Sequence, residues 1–287
     1  MDDSHCTSCD GDRYLVGTLD AQAVARRCQC FDVCPACQNQ GHILVTDEEG
    51  NAYARACDCR FLDQRIARFN EARIPARFAR TSLDDYKERD PTQKKAKYAF
   101  LQYRDDYTAG QRGLLVWGKP GVGKTHLVCS LMSYLTLERG ISCRYVEFMQ
   151  LIFDLKKDFA EGRWESSTLS PLLSVEVLLI DELGKGRNSE WEIAVLDELV
   201  SSRYNSGKTL LATSNYLPRA TPGVAAPVTM EGGMRIPGTL DERLGDRIFS
   251  RLTEMCQFME VTGDDYRARE ADSSSRKKGL LSTMKRA

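Results

Sequence analysis

The sequence predicts an α/β protein, a mostly parallel sheet covered by helices on both faces, preceded by a small duplicated cysteine module. Three observations carry this. From residue 113 onward, short aliphatic runs alternate with helix-length stretches, the pattern of strands joined by crossover helices. A glycine-rich octapeptide follows the first of those runs, at the place where parallel sheets hold phosphate. Eight of the eleven cysteines fall within the first 59 residues as paired CxxC and CxC motifs.

The composition is ordinary for a globular chain: 287 residues, 42% hydrophobic and 28% charged. Forty basic side chains against 41 acidic ones exclude a nucleic-acid binder that works through bulk charge, so any such contact comes from local patches. No apolar run approaches the ~18 residues of a membrane-spanning helix. The acidic, polar start, Met1 to Asp10, is unlike a signal or transit peptide, so a cytoplasmic location without membrane contact is expected. Paired cysteines in that setting favour metal sites over disulfides. The expected division is a cysteine-rich module over 1–60, an arginine-rich linker and helical lead-in over 61–110, a nucleotide-binding domain over 111–270 and a disordered tail over 271–287.

The first 60 residues contain an internal repeat. Cys6 and Cys9 lead to Cys28 and Cys30, and Cys34 and Cys37 lead to Cys57 and Cys59. Eighteen residues separate the inner cysteines of the first copy and nineteen those of the second. Each interval holds a glycine and a β-like run, Tyr14-Leu15-Val16 or Ile43-Leu44-Val45, so a two-stranded hairpin brings each CxxC against a CxC. Four thiolates complete a tetrahedral zinc site, so the eight cysteines are expected to hold two Zn²⁺ per chain. Redox dithiols and an iron–sulfur cluster are the weaker alternatives, and a nested pairing of the first knuckle with the last stays open. His5 and His42 read as solvated neighbours rather than ligands. Cys129, Cys143 and Cys256 read as small buried apolar residues.

Arg60, Arg65, Arg68, Arg73, Arg77 and Arg80 follow, with Phe61, Leu62, Ile66 and Phe69 at near-helical spacing; one amphipathic helix ended by Pro75 is expected. A charged stretch from Tyr86 then leads into a helix ending near Gly110. Strands are expected at 114–117, 141–148, 175–180, 210–213 and 257–261, with helices following the first two at 124–140 and 149–160. Ser189 and Glu192 form a capping box that opens the helix ending by Gly207. Residues 218–238, with four prolines, are expected to form an irregular insertion.

Gly118-Lys119-Pro120-Gly121-Val122-Gly123-Lys124-Thr125, followed by His126, fits the phosphate-loop pattern GxxxxGK[ST]. Glycines let the backbone curl close enough to offer several N–H donors, and the following helix adds its positive end. Lys124 is expected to reach the β- and γ-phosphates of ATP and Thr125 to hold Mg²⁺. Asp181 and Glu182 end a buried strand and so face the ligand crevice, Asp181 toward Mg²⁺ and Glu182 toward the attacking water. Asn215, after the fourth strand, is placed to orient the water or the γ-phosphate.

Residues 73–268 resemble the AAA+ ATPases of the DnaC/DnaI helicase-loader and IstB-like group. The resemblance lies in Arg73–Phe78, Gly118–Leu127, Leu179–Gly184, Ser189–Trp191, Arg203–Lys208 and Thr213–Tyr216, in matching order and spacing. The cysteine repeat is similar to zinc-binding front ends of some members, where that end contacts the helicase. The resemblance implies a five-stranded AAA+ P-loop core with a reduced lid and a zinc-ribbon-like front. It also implies an arginine finger at Arg251, a second basic position at Arg247 and a sensor arginine at Arg267. Alternatively, Arg243, Arg247 and Arg251, four residues apart, form one solvated helix face.

The function expected from this resemblance is an ATPase that loads the replicative DNA helicase, binds single-stranded DNA and self-associates into a ring or spiral on ATP. The arginines of 60–80 are candidates for phosphate contact or a plain solvated helix. Two other readings stay open: an IstB-like transposition helper on duplex DNA, and a zinc-module nucleotide switch with little turnover.

Overall fold

Two antiparallel hairpins open the chain, because each cysteine repeat encloses one β-prone run, a turn and a second run. β1 (Tyr14–Leu19) pairs with β2 (Gln22–Arg27), and β3 (His42–Thr46) with β4 (Ala52–Ala56). The computed structural model describes residues 6–162, 168–187, 189–220, 229–231, 234–236 and 238–266. Arg267 and the tail from residue 271 lie outside these, so the sensor-arginine and disordered-tail expectations are not addressed by it.

α1 (Asp58–Glu71) starts on the second CxC, with Cys57 as its N-cap and Cys59 buried in its first turn. It ends four residues before Pro75, not at it. Arg73 turns into the left-handed region at φ +53°, and Ile74, fully buried, gives its carbonyl to the Ala23 N–H at 2.7 Å. Recruitment of this backbone by β2 outcompetes another helical turn, and Pro75 instead caps a 3-10 turn over Ala76–Phe78. α2 (Pro91–Asp105) follows, its N-cap Asp90 accepting from the Thr92 N–H and Pro91 standing where no N–H is needed.

The five-stranded sheet is wholly parallel, β5 (Gly113–Trp117), β6 (Cys143–Glu147), β7 (Val177–Asp181), β8 (Thr209–Ser214) and β11 (Cys256–Glu260) lying in the order β11-β5-β8-β7-β6. α3 (Lys124–Leu137), α4 (Phe148–Ala160) and α6 (Glu190–Asn205) make the crossovers. Strand alternation divides the core: Leu114, Val116, Val177 and Leu179 face α1, α2 and α3, whereas Leu115, Leu178 and Ile180 face α4, α6 and the helix over Asp246–Met255. Ala23 and Ala25 of the first hairpin belong to the former cluster, so that hairpin is part of the main core.

Three departures concern the connections. The third strand is preceded by a short helix, α5 (Leu169–Ser174), with Pro171 tolerated in its first turn. The insertion at 218–238 contains a hairpin, β9 (Thr229–Glu231) with β10 (Met234–Ile236). Before the last strand stand two helices, α7 (Leu240–Leu244) and α8 (Asp246–Met255), parted by Gly245 at φ +78°. Among the described residues, no helix is long and apolar enough to cross a membrane.

Candidate functional site

The loop Gly118–Thr125 joins the C-terminal end of β5 to α3. Gly121 and Gly123 have φ of +79° and +98°, a region that suits glycine. At Gly123 space excludes a side chain as well, since a Cβ would sit 2.7 Å from the Tyr86 ring. Tyr86 also donates to the Val122 carbonyl at 3.1 Å. The positive end of α3 opens on a cleft of about 950 Å³, lined by Pro120 to His126, Phe78, Tyr86, Glu182 and Asn215.

Each expected cleft residue except Arg267 is placed by the structure. The Lys124 ammonium, 6% exposed, donates to the carbonyls of Gly118 and Lys119 and to Asn215 Oδ1, each at 2.8 Å. Thr125 Oγ1 donates to Asp181 Oδ1 at 3.0 Å. Asp181, 2% exposed, also accepts from the Thr213 hydroxyl and, at 2.9 Å, from the Tyr145 phenol. Burial, reinforced by this carboxylate, pushes the Tyr145 phenol far above its ordinary range, so it remains a donor. His126, also in the cleft wall, bonds the Ser82 carbonyl at 3.2 Å and packs edge-on with Tyr86; burial holds its imidazole below the usual range.

Glu182 leaves the strand at φ +56°, its N–H donating to Thr213 Oγ1 at 3.0 Å. Thr213 thus ties both carboxylate residues to β8. Glu182 is ion-paired with Lys185, whose ammonium also lies 3.8 Å from Glu147. Burial, with the nearby Glu182 charge, raises the Glu147 carboxyl above its ordinary value, and Lys185 opposes the rise.

Arg247 and Arg251 lie on α8 and pair with Asp197 of α6 at 3.5 and 3.1 Å, outside the cleft wall of their own chain. The solvated-face alternative fails at Arg243. That residue belongs to α7, is 6% exposed, and spreads its guanidinium 3.9 Å over the Tyr216 ring while donating to Gly184 O at 2.9 Å. The buried arginine therefore braces the turn that follows Glu182. Sequence reasoning missed Arg243, Tyr145, Thr213 and Lys185. Only Lys185, three residues from Glu182, leaves a local signal. The arginines of 60–80 also separate, Arg65 pairing with Glu138 at 3.7 Å and Arg77 lining the cleft.

The eight cysteines form two groups, Cys6, Cys9, Cys28 and Cys30, and Cys34, Cys37, Cys57 and Cys59, each with sulfurs within 4.8 Å of one another. Each repeat is self-contained, and the nested pairing is excluded. Thiolates 2.3 Å from a tetrahedral ion stand about 3.8 Å apart. Cross-motif separations are 3.8 and 3.5 Å in the first group and 3.6 and 3.3 Å in the second, so both donor sets fit a metal ion. The N–H groups of Ser8 and Cys9 bring the Cys6 thiol down to about 6. Cys37, whose burial is outweighed by donation from Cys59 and the Gly41 N–H, also falls to about 6. Cys129, Cys143 and Cys256 are buried as expected, and burial pushes their thiols up.

Comparison with known proteins agrees with this geometry. The phage-like element PBSX protein XkdC of Bacillus subtilis (strain 168) is 27% identical over 258 residues, covering 86% of each chain. The replicative helicase loader DnaC of Escherichia coli (strain K12) is 28% identical over 150 residues, 51% of this chain and 61% of that one. A crystal structure of the DnaC helicase loader superposes with a TM-score of 0.54 at 29% identity, covering 65% of this chain and 99% of the other. Residues 62–221, more than half of the sequence, match the family described as IstB-like ATP binding protein. With its AAA+ sheet, its phosphate loop and these relatives, the chain belongs to the IstB-like ATP-binding protein family.

Proposed function

We propose that the protein is an ATP-dependent helicase loader: it binds ATP with Mg²⁺, hydrolyses it to ADP and phosphate, and delivers the replicative DNA helicase onto single-stranded DNA. The observation that carries the ATPase half is the cleft itself, where Lys124, Thr125, Asp181, Glu182 and Asn215 converge. Likeness to the DnaC loader supports the choice of partner.

In this reading the loop Gly118–Thr125 cradles the phosphates with its N–H groups, and Lys124 exchanges its carbonyl partners for β- and γ-phosphate oxygens. Mg²⁺, when bound by Thr125 and Asp181, neutralises charge on the transferring phosphoryl group. Tyr145 and Thr213 fix the Asp181 carboxylate by donating to it. Glu182 orients the attacking water and takes its proton, a role that requires its release from Lys185. Asn215, already bonded to Lys124, positions the γ-phosphate. Arg251, with Arg247 beside it, faces outward on α8 and acts on the cleft of the next subunit in a ring or spiral; Arg267 serves as the sensor arginine. Each cysteine group holds one structural Zn²⁺. Such a protein acts in the cytoplasm.

The test is native mass spectrometry of the purified chain with its host's replicative helicase, with and without ATP. A complex whose population changes with ATP, carrying two zinc ions per chain, supports the reading. A chain that ignores the helicase and prefers duplex DNA belongs instead with transposition helpers, a second reading favoured by the IstB-like match.

A further inference from the structure

The two cysteine repeats build the same surface twice, and only one copy is covered. Counting back five and three residues from Cys28 and Cys57, Ala23 and Ala25 of β2 correspond to Ala52 and Ala54 of β4. In β2 both alanines turn their backbone groups away from β1. The Ala23 N–H bonds Ile74 O at 2.7 Å, and Ala25 exchanges two bonds with the Asn70 side chain at 2.7 and 3.0 Å. Ala76 returns a bond to Ala21 O at 2.9 Å, so Ile74 and Pro75 run antiparallel to β2, bridged at Gln22–Pro75, before the 3-10 turn begins at Ala76. Ala23 and Ala25 become 0% and 4% exposed, and Val16, opposite Ala25, packs into the same core.

β4 has the same phase. Cys57 N–H bonds Gly41 O and Asp47 N–H bonds Asn51 O, which leaves Ala52 and Ala54 facing outward along the strand edge. Among the described residues nothing pairs with their N–H groups, and both are exposed. Leu44, opposite Ala54 where Val16 stands opposite Ala25, is 77% exposed. An uncovered edge beside small apolar side chains is a template for strand addition, and edges that stay in solvent are ordinarily blunted by charge. The first repeat shows what fits: an extended, aliphatic segment running antiparallel, with its C-terminal end at the hairpin turn. The turn of the second repeat carries Asp47, Glu48 and Glu49, so it favours a basic residue at that end.

We infer that the outer edge of β4, with Leu44, Ala52 and Ala54, docks an extended antiparallel segment of the replicative helicase, aliphatic at its centre and basic at its C-terminal end. The choice of helicase rests on the loader reading. The first repeat, by contrast, is committed to its own core and takes no part in the docking.

The experiment uses the full chain and the host's helicase, comparing wild type with Leu44→Asp and Ala54→Pro. Proline at position 54 removes an N–H that the hairpin ladder does not use. Zinc content and ATP turnover are measured on each variant to certify folding. Expected are at least tenfold weaker helicase binding by both variants, and slowed amide exchange at Ala52 and Ala54 in the wild-type complex. Full-strength binding by both folded variants, with those amides still exchanging freely, overturns the docking surface and leaves the loader reading intact. A wild-type chain with no affinity for helicase overturns the loader reading and, with it, the choice of partner. Loss of self-association rather than helicase binding in the variants overturns the inference in favour of a second copy as the occupant.

Discussion

Replacing Arg243 with methionine separates nucleotide binding from turnover. The side chain contributes one short charge-assisted bond to Gly184 O and a face-on contact with Tyr216 at 3.9 Å. Its second bond, to Gly186 O at 3.4 Å, is too long to add much. A hydrogen bond from a charged group contributes roughly 1.5–3 kcal/mol, and a desolvated cation–π contact about 2 kcal/mol. Against these stands the burial of a cation with no carboxylate partner among the described residues, which lowers the guanidinium below its ordinary range and which methionine relieves. The net loss of stability is therefore about 1–3 kcal/mol, read as a shift in the urea midpoint. Because the lost bond anchors the turn next to Glu182, kcat should fall at least tenfold while ATP affinity, set by the loop Gly118–Thr125, stays within about threefold. Lysine does not rescue, since it lacks the planar group that lies on Tyr216. A variant with wild-type kcat and midpoint would refute the bracing role.

Four further outcomes are expected. Lys124→Ala should weaken ATP binding by about a hundredfold or more, through loss of charge-assisted phosphate contacts; unchanged affinity by calorimetry defeats the phosphate assignment. Arg251→Ala should retain ATP but lose about 10³-fold or more in turnover, and mixing it with Glu182→Gln subunits should restore part of the activity. An assembled mixture that stays inactive argues against action on a neighbouring subunit. Stripping metal with a strong chelator should lower the melting temperature by at least about 10 °C, since the first cysteine repeat shares the main core; an unmoved melting curve at zero zinc rejects structural metal. Because burial lowers the His126 imidazole, the folded chain resists a proton that the unfolded chain accepts near pH 6.5. That part of the stability is complete above the unfolded value and is lost as pH falls from there through the lower, folded value. His126→Gln should flatten the acid limb of a stability profile from pH 8 to 5, and an identical limb in both proteins contradicts the assignment.

Elements written in local pattern were legible in the sequence. The phosphate loop, the Ser189 cap, which accepts from the Glu192 N–H at 3.3 Å, and the paired hairpins each depend on residues a few positions apart. What escaped depends on contacts between distant segments. α1 stops at Glu71 because β2, some fifty residues earlier, claims the backbone at Ile74. Tyr145 reaches Asp181 only through the register that sets Glu147 beside Asp181 in neighbouring strands. Arg243 repeats at helical spacing with Arg247 and Arg251, and that spacing misleads because Gly245 breaks the helix between them. α5, six residues long and containing a proline, is too short for periodicity to register.

Gly245 has φ +78° and ψ 157°, backbone angles that residues other than glycine essentially do not adopt, and open space where a Cβ would stand. Its identity is thus dictated by the chain's own path and not by crowding. On one side of this joint, Arg243 is fastened to the turn of its own Glu182; on the other, Arg247 and Arg251 pair with Asp197, and Arg251 also lies 5.9 Å over the Tyr204 ring. A single residue therefore divides an arginine turned inward from two turned outward. Because Ile248, Phe249 and Leu252 bury α8 in the core and β11 follows it directly, the two arms hold their opposite directions within one packed unit.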